Sequence, residues 1–276
     1  MRDAHASRHN ELIAFFALTF VLSWAIEVPL ALSAQDLLHA SPPMALHYLA
    51  SFGPLLAALI VTLAARGPAE LHTLLARVVR WQAAREYYLF AVVAPIAIFI
   101  IIVLLTWIVR GTPPDLALLG EADYLGALGV LPVLALWMVT FGLGEEVGWR
   151  GFALPRLQSM HSAFRASLVL GLFWAVWHVP AVFYRDTYMA MGWMVVPMLL
   201  TVAAVGSVVY TWLFNGTRGS LLLVILFHGL FDFFSVWPAG PVGPGMVMTI
   251  LMVFWAVRVY KVYGARNLSP HEKVIL

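Results

Sequence analysis

With 276 residues, 62% of them hydrophobic and only 11% charged, the chain departs far from a soluble domain, where about 45–50% are apolar and about 25% charged. A mean hydropathy of +0.89 points to a bilayer, and a net charge of +2 scattered over loops excludes a nucleic-acid-binding stripe. The lack of cysteine excludes disulfides, thiolate catalysis and cysteine-ligated zinc together.

A helix needs about 20 apolar residues to cross the hydrocarbon core. Eight stretches qualify: Leu12–Leu32, Met44–Ala65, Tyr87–Val109, Tyr124–Leu143, Ala163–Phe183, Met189–Phe214, Ser220–Trp237 and Gly245–Tyr263. The seventh is short. The first follows a polar segment and reads as a retained helix, not a cleaved signal. Glu27, near its outer end, is expected to snorkel to the interface. In the second, Pro54 removes a backbone donor and predicts a kink at Gly53-Pro54. After it, Ala69–Tyr88 sets apolar residues at helical spacing opposite arginines. That pattern suits an amphipathic helix in the interface, with Trp81, Tyr87 and Tyr88 at headgroup level. Tyr260–Leu276 reads as a short basic tail.

Arginine and lysine fix an expected orientation. Arg2, Arg8, Arg66, Arg77, Arg80, Arg85, Arg150, Arg156, Arg165, Arg218, Arg258, Lys261, Arg266 and Lys273 fall on one side, and only Arg110 and Arg185 on the other. The positive-inside rule then puts both termini in the cytoplasm. The expected fold is all-α: a polytopic transmembrane bundle of about eight spans forming a single domain, 1–276, in a cell membrane such as a bacterial inner membrane.

Against this apolar background, Phe141-Gly-Leu-Gly-Glu145-Glu146-Val-Gly-Trp-Arg150-Gly-Phe stands out. An ionisable side chain at mid-membrane costs roughly 2.5–3.5 kcal/mol on insertion scales, so two acids and a base need partners or a task. Residues four apart share a helix face, so Glu146 pairs with Arg150 and leaves Glu145 free. Glycines 142, 144, 148 and 151 keep the helix thin enough for a close neighbour. The fifth span carries Trp174 one turn before His178, and the seventh carries His228 one turn before Asp232. His5, His9, His39, His47, His72, His161 and His271 lie in tails, loops or near span ends and receive no role.

Peptide hydrolysis needs an activated water and donors for the developing oxyanion. Glu145, hydrogen-bonded to His178, could take the proton from water, while His228 with Asp232 could face the tetrahedral oxygen. No cofactor is then required. Glu145, His178 and His228 could alternatively hold a divalent metal such as zinc, although Arg150 beside the site weighs against it and the His-Glu-x-x-His pattern is absent.

The ordered set Glu145-Glu146-x-x-x-Arg150, Trp174-x-x-x-His178 and His228-x-x-x-Asp232 resembles the CPBP family of intramembrane proteases. This Abi or CAAX-protease-like group includes the type II CAAX prenyl endopeptidases and bacteriocin self-immunity proteins. The resemblance covers about 123–237, the expected catalytic core, and includes Trp177-His-Val-Pro180 and Thr217-Arg-Gly-Ser220. It implies a glutamate-type endopeptidase in which Glu145 and His178 activate water, and His228 and Asp232 stabilise the oxyanion. Glu146, Arg150 and Trp174 would support them. Two positions depart from the family pattern. Trp174 stands where phenylalanine is usual, and Asp232 where the prenyl endopeptidases carry asparagine. The implied partners are a membrane-associated peptide or protein substrate, reached from the cytoplasm, and the lipid bilayer, with no nucleic acid. Oligomeric state is not legible. The competing readings are a non-proteolytic immunity or interaction protein on the same fold, and a proton-coupled transporter built on the same Glu, His and Asp. No repeat supports the transporter.

Overall fold

The computed structural model describes residues 2–237 and 244–276, with side chains from 7 to 237 and from 245 to 276. Arg2 and His5, named above, lie outside the described side chains. Among the described residues, seven helices are long and apolar enough to cross a membrane. They are α1 (Ser7–Ala34), α2 (Met44–Arg66), then, after the short α3 (Pro68–Ala76), α4 (Arg85–Arg110), α5 (Val130–Met160), α6 (Ala163–Phe183) and α7 (Gly192–Gly216). The shorter α8 (Leu221–Ser235) follows, and α9 (Gly245–Asn267) closes the set. Two two-residue strands, Glu121–Ala122 and Gly126–Ala127, pair antiparallel in the loop before α5. The molecule is an all-α, multi-pass membrane bundle. At 1.5 Å per residue, α8 is about 22 Å long, short of the roughly 30 Å hydrocarbon core.

Local chemistry explains the breaks and starts. Pro54 cannot donate to the carbonyl of Ala50, four residues back. The freed oxygen accepts from Ser23 Oγ of α1 at 2.7 Å, so the expected kink in α2 is stitched to its neighbour. Ser162 and Ser220 stand immediately before the first helical turns of α6 and α8, and their hydroxyls accept from the amides of Arg165 and Leu223, as N-cap residues do. The reversal from α7 to α8 passes through Arg218 and Gly219, both at positive φ.

At the arginine-rich end, Glu11 of α1 accepts from Arg66 of α2 and Arg156 of α5, each at 2.8 Å. One acid thereby ties three helices. The segment after α9 is not a free tail. Gln158 donates to the carbonyl of Val274, the amide of Val274 donates to Asn215, and Lys273 donates to the carbonyl of His161. Two further expectations change. The helix expected over Ala69–Tyr88 covers only Pro68–Ala76, with Arg85–Tyr88 forming the start of α4 and Tyr87 buried against Trp212. Glu27 does not snorkel: it is buried and accepts from the Tyr184 hydroxyl at 3.2 Å. Burial holds that phenol above its usual range, so it stays a neutral donor.

Candidate active site

The two glutamates lie well inside α5, not at its end. The helix continues to Met160 because wide π turns at Met138–Leu143 and Val147–Ala153 flank Gly144–Glu146. Such turns often mark functional positions in helices. All four glycines of this stretch sit where another element comes close. A Cβ on Gly142 would meet the Ile225 carbonyl at 3.0 Å, one on Gly144 the Ser51 carbonyl at 2.8 Å, and one on Gly148 the Pro54 carbonyl at 2.5 Å. At Gly151 the obstacles are the side chains of Leu74 and Leu221. Only a helix without side chains on these faces lets α2 and α8 pack against the acids.

Glu146 lies at the centre of the polar cluster. Its Oε1 accepts from Arg150 Nη1 at 2.8 Å and from His228 Nδ1 at 2.7 Å, and all three side chains are buried. The guanidinium of Arg150 lies 4.6 Å from the Trp174 ring and 4.2 Å from that of Tyr210, a cage that favours a desolvated cation. Its Nη2 donates to Ser207 Oγ at 3.5 Å. Ser207 and Tyr210 come from α7, where their spacing resembles any apolar helix. The sequence holds no signal that would have picked them out.

Glu145 takes a different partner from its neighbour. Its Oε2 accepts from the Trp174 indole at 2.8 Å, and Oε1 has no protein donor among the described residues. The direct bond expected between Glu145 and His178 is not made. Trp174 stands between them, for its own carbonyl accepts from His178 Nδ1 at 2.7 Å. A carbonyl can only accept, so Nδ1 carries the proton and Nε2 of a neutral ring is left as the acceptor. A phenylalanine at this position would fill the wall but could not bond to Glu145.

His228 stands between two acids. Nδ1 faces Glu146, and Nε2 lies 3.2 Å from Asp232 Oδ2. Carboxylates only accept, so a doubly protonated ring satisfies both. Of the expected set, Glu146, Arg150, His228 and Asp232 form one bonded chain. Trp174 edges onto His228 and His178, with ring centroids 5.7 Å apart in each case, and thereby joins Glu145 and His178 to that chain. Among the described residues, no group of three or more His, Asp or Glu could hold a metal ion. In this arrangement His228 has no nitrogen left for a metal, because both face acids, whereas His178 keeps Nε2 open.

Fold and site together define a polytopic helical membrane protein with a buried acid–imidazole centre. The model of the family described as Type II CAAX prenyl endopeptidase Rce1-like matches residues 127–234. The CAAX prenyl protease 2 of Methanococcus maripaludis is 36% identical over 107 residues, which are 37% of this chain and 39% of that protein. Over this part of its length the chain matches the CPBP/Rce1-like CAAX protease family. The matched region spans about two fifths of the curated relative.

Proposed function

We infer that this protein is an intramembrane endopeptidase that hydrolyses membrane-associated peptides with a water activated by Glu145 and His178. The observation that carries this reading is the way one residue, Trp174, holds both groups. Its indole fixes one oxygen of Glu145 and its carbonyl fixes the tautomer of His178, leaving an acid oxygen and a ring nitrogen to share a water. Glu145 takes the proton from that water as the oxygen attacks the peptide carbonyl, and returns it to the departing amine. The Nε2–H of His228 turns from Asp232 to the developing oxyanion, a donor set in place before the charge forms. An ionised Asp232 cannot donate there. Its part is to hold His228, so the departure from asparagine keeps the ring's position while changing the partner. Glu146 and Arg150 fix the far side of the same ring.

The test is cleavage of a membrane-anchored peptide library by purified protein in detergent, with and without a strong chelator. Glu145→Gln should lower the rate by about 10²–10⁴, the usual weight of positioned acid–base catalysis, with the thermal midpoint unchanged and the wild-type rate surviving chelation. Absence of wild-type cleavage across the library would transfer the fold to a non-proteolytic immunity or interaction role, and proton-linked flux in liposomes to a transporter. Loss on chelation with rescue by zinc would overturn the metal-free mechanism.

A further inference from the structure

Away from the acid–imidazole centre, the seam between α1 and α6 holds an open cavity of about 410 Å³. Small-molecule sites commonly measure about 300–1,000 Å³. His9, Ile13 and Phe16 line it from α1, and Val169 and Phe173 from α6. Residues three, four or seven apart share a helix face, so each set belongs to one side of its helix. Phe16 and Phe173 are the deepest of these residues on their helices, and their rings stack with centroids 3.8 Å apart at 13°. The walls between that stack and the helix ends are apolar. The arginine-rich end of the seam is basic. His161, where α5 passes into α6, lines the cavity with His9, and Lys273 donates to the His161 carbonyl at 2.6 Å. Arg165 is exposed and stands one turn before Val169, on the row that continues to Phe173. Among the described residues, no acid lines the cavity. Glu11, two positions beyond His9, is buried and already bonded to Arg66 and Arg156, so it does not neutralise this rim.

We propose that this seam binds an anionic phospholipid of the leaflet at the arginine-rich end. One acyl chain lies between α1 and α6 against Ile13, Phe16, Val169 and Phe173. From Arg165 to Phe173 the seam runs about 12 Å along α6 at 1.5 Å per residue, which takes the part of the chain next to the glycerol. The phosphate meets the Arg165 guanidinium, whose N–H groups suit a phosphate better than a point charge does. His9 and His161 donate an imidazole N–H in either protonation state. Basic pockets between membrane helices hold anionic headgroups by this chemistry. A zwitterionic headgroup carries its own ammonium, which Arg165 and Lys273 repel. The proposal does not depend on the peptidase reading.

The test adds dioleoyl phosphatidylglycerol or dioleoyl phosphatidylcholine to the purified full-length protein in lipid-free detergent. Native mass spectrometry counts bound lipid, and the thermal midpoint reads its effect. Phosphatidylglycerol should stay bound as one molecule per chain and raise the midpoint, and phosphatidylcholine at the same concentration should do neither. Arg165→Gln should weaken phosphatidylglycerol binding about five-fold, the weight of one cation at an anionic lipid surface. Arg110→Gln, an equal loss of charge at the opposite end of the bundle, should leave binding unchanged. Val169→Trp should fill the seam and abolish binding, with its midpoint in lipid-free detergent as in wild type. Ile13→Trp, from an exposed position on the other wall, takes its place if that variant fails to fold. Equal binding of the two lipids, wild-type affinity in Arg165→Gln, or binding that survives the filled seam overturns the proposal. So does inorganic phosphate that raises the midpoint as much as the lipid, since the acyl chain would then contribute nothing.

Discussion

At the scale of single residues, Arg150 shows how a charge is kept inside a membrane protein. It has one carboxylate partner shared with His228, two aromatic faces and a weak hydroxyl contact. Removing one member of a buried pair costs about 3–5 kcal/mol, mostly because the other charge is left behind. Arg150→Met should therefore lower the thermal midpoint in detergent sharply, and adding Glu146→Gln should restore much of the loss. A double variant no better than the single one would show that the cage around Arg150, not its pairing, carries the stability. Pairing of Glu146 with Arg150 was legible from the spacing of four. The sharing of Glu146 with His228 was not, because that residue lies 82 positions away on another helix.

Among elements, α5 decides the geometry of the site. Its two π turns carry the acids past the point where an apolar-run count ends the helix, so the expected span Tyr124–Leu143 becomes Val130–Met160. The start moves too, since Glu121–Ala127 forms a short hairpin before it. The glycines expected to thin this helix do so against particular partners. Gly148→Ala would drive a methyl into the Pro54 backbone, where nothing flexible can give way. Overpacking of this kind costs about 1–3 kcal/mol. The variant should melt lower and separate α2 from α5, read as faster exchange of the amides around Gly53. Gly151→Ala, which meets only leucine methyls, should cost less. Equal losses at the two positions would remove the argument for backbone contact.

Across the whole molecule, the arginine-rich end is closed by residues far apart in sequence. Gln158 and Asn215 bond to each other, and the returning segment completes them through Val274 and Asn267. Deleting residues 269–276 would leave parts of two buried amides unpaired, at about 1–3 kcal/mol each. The truncated protein should melt lower, and replacing Gln158 and Asn215 together by leucine should recover part of the deficit. No change on truncation would return the segment to the status of a loose tail.

Composition alone determined that the protein spans a membrane as helices. The motif residues Glu145, Glu146, Arg150, Trp174, His178, His228 and Asp232 were legible too, because bilayer energetics make every buried charge conspicuous and helical spacing pairs neighbours four apart. What the chain could not tell in one dimension is which groups meet across helices. That Trp174 stands between Glu145 and His178, and that Glu27 is buried under Tyr184, are consequences of packing. Helix orientation about its own axis is set by glycine contacts and distant hydrogen bonds, and these leave no periodic trace in a sequence that is apolar on nearly every face.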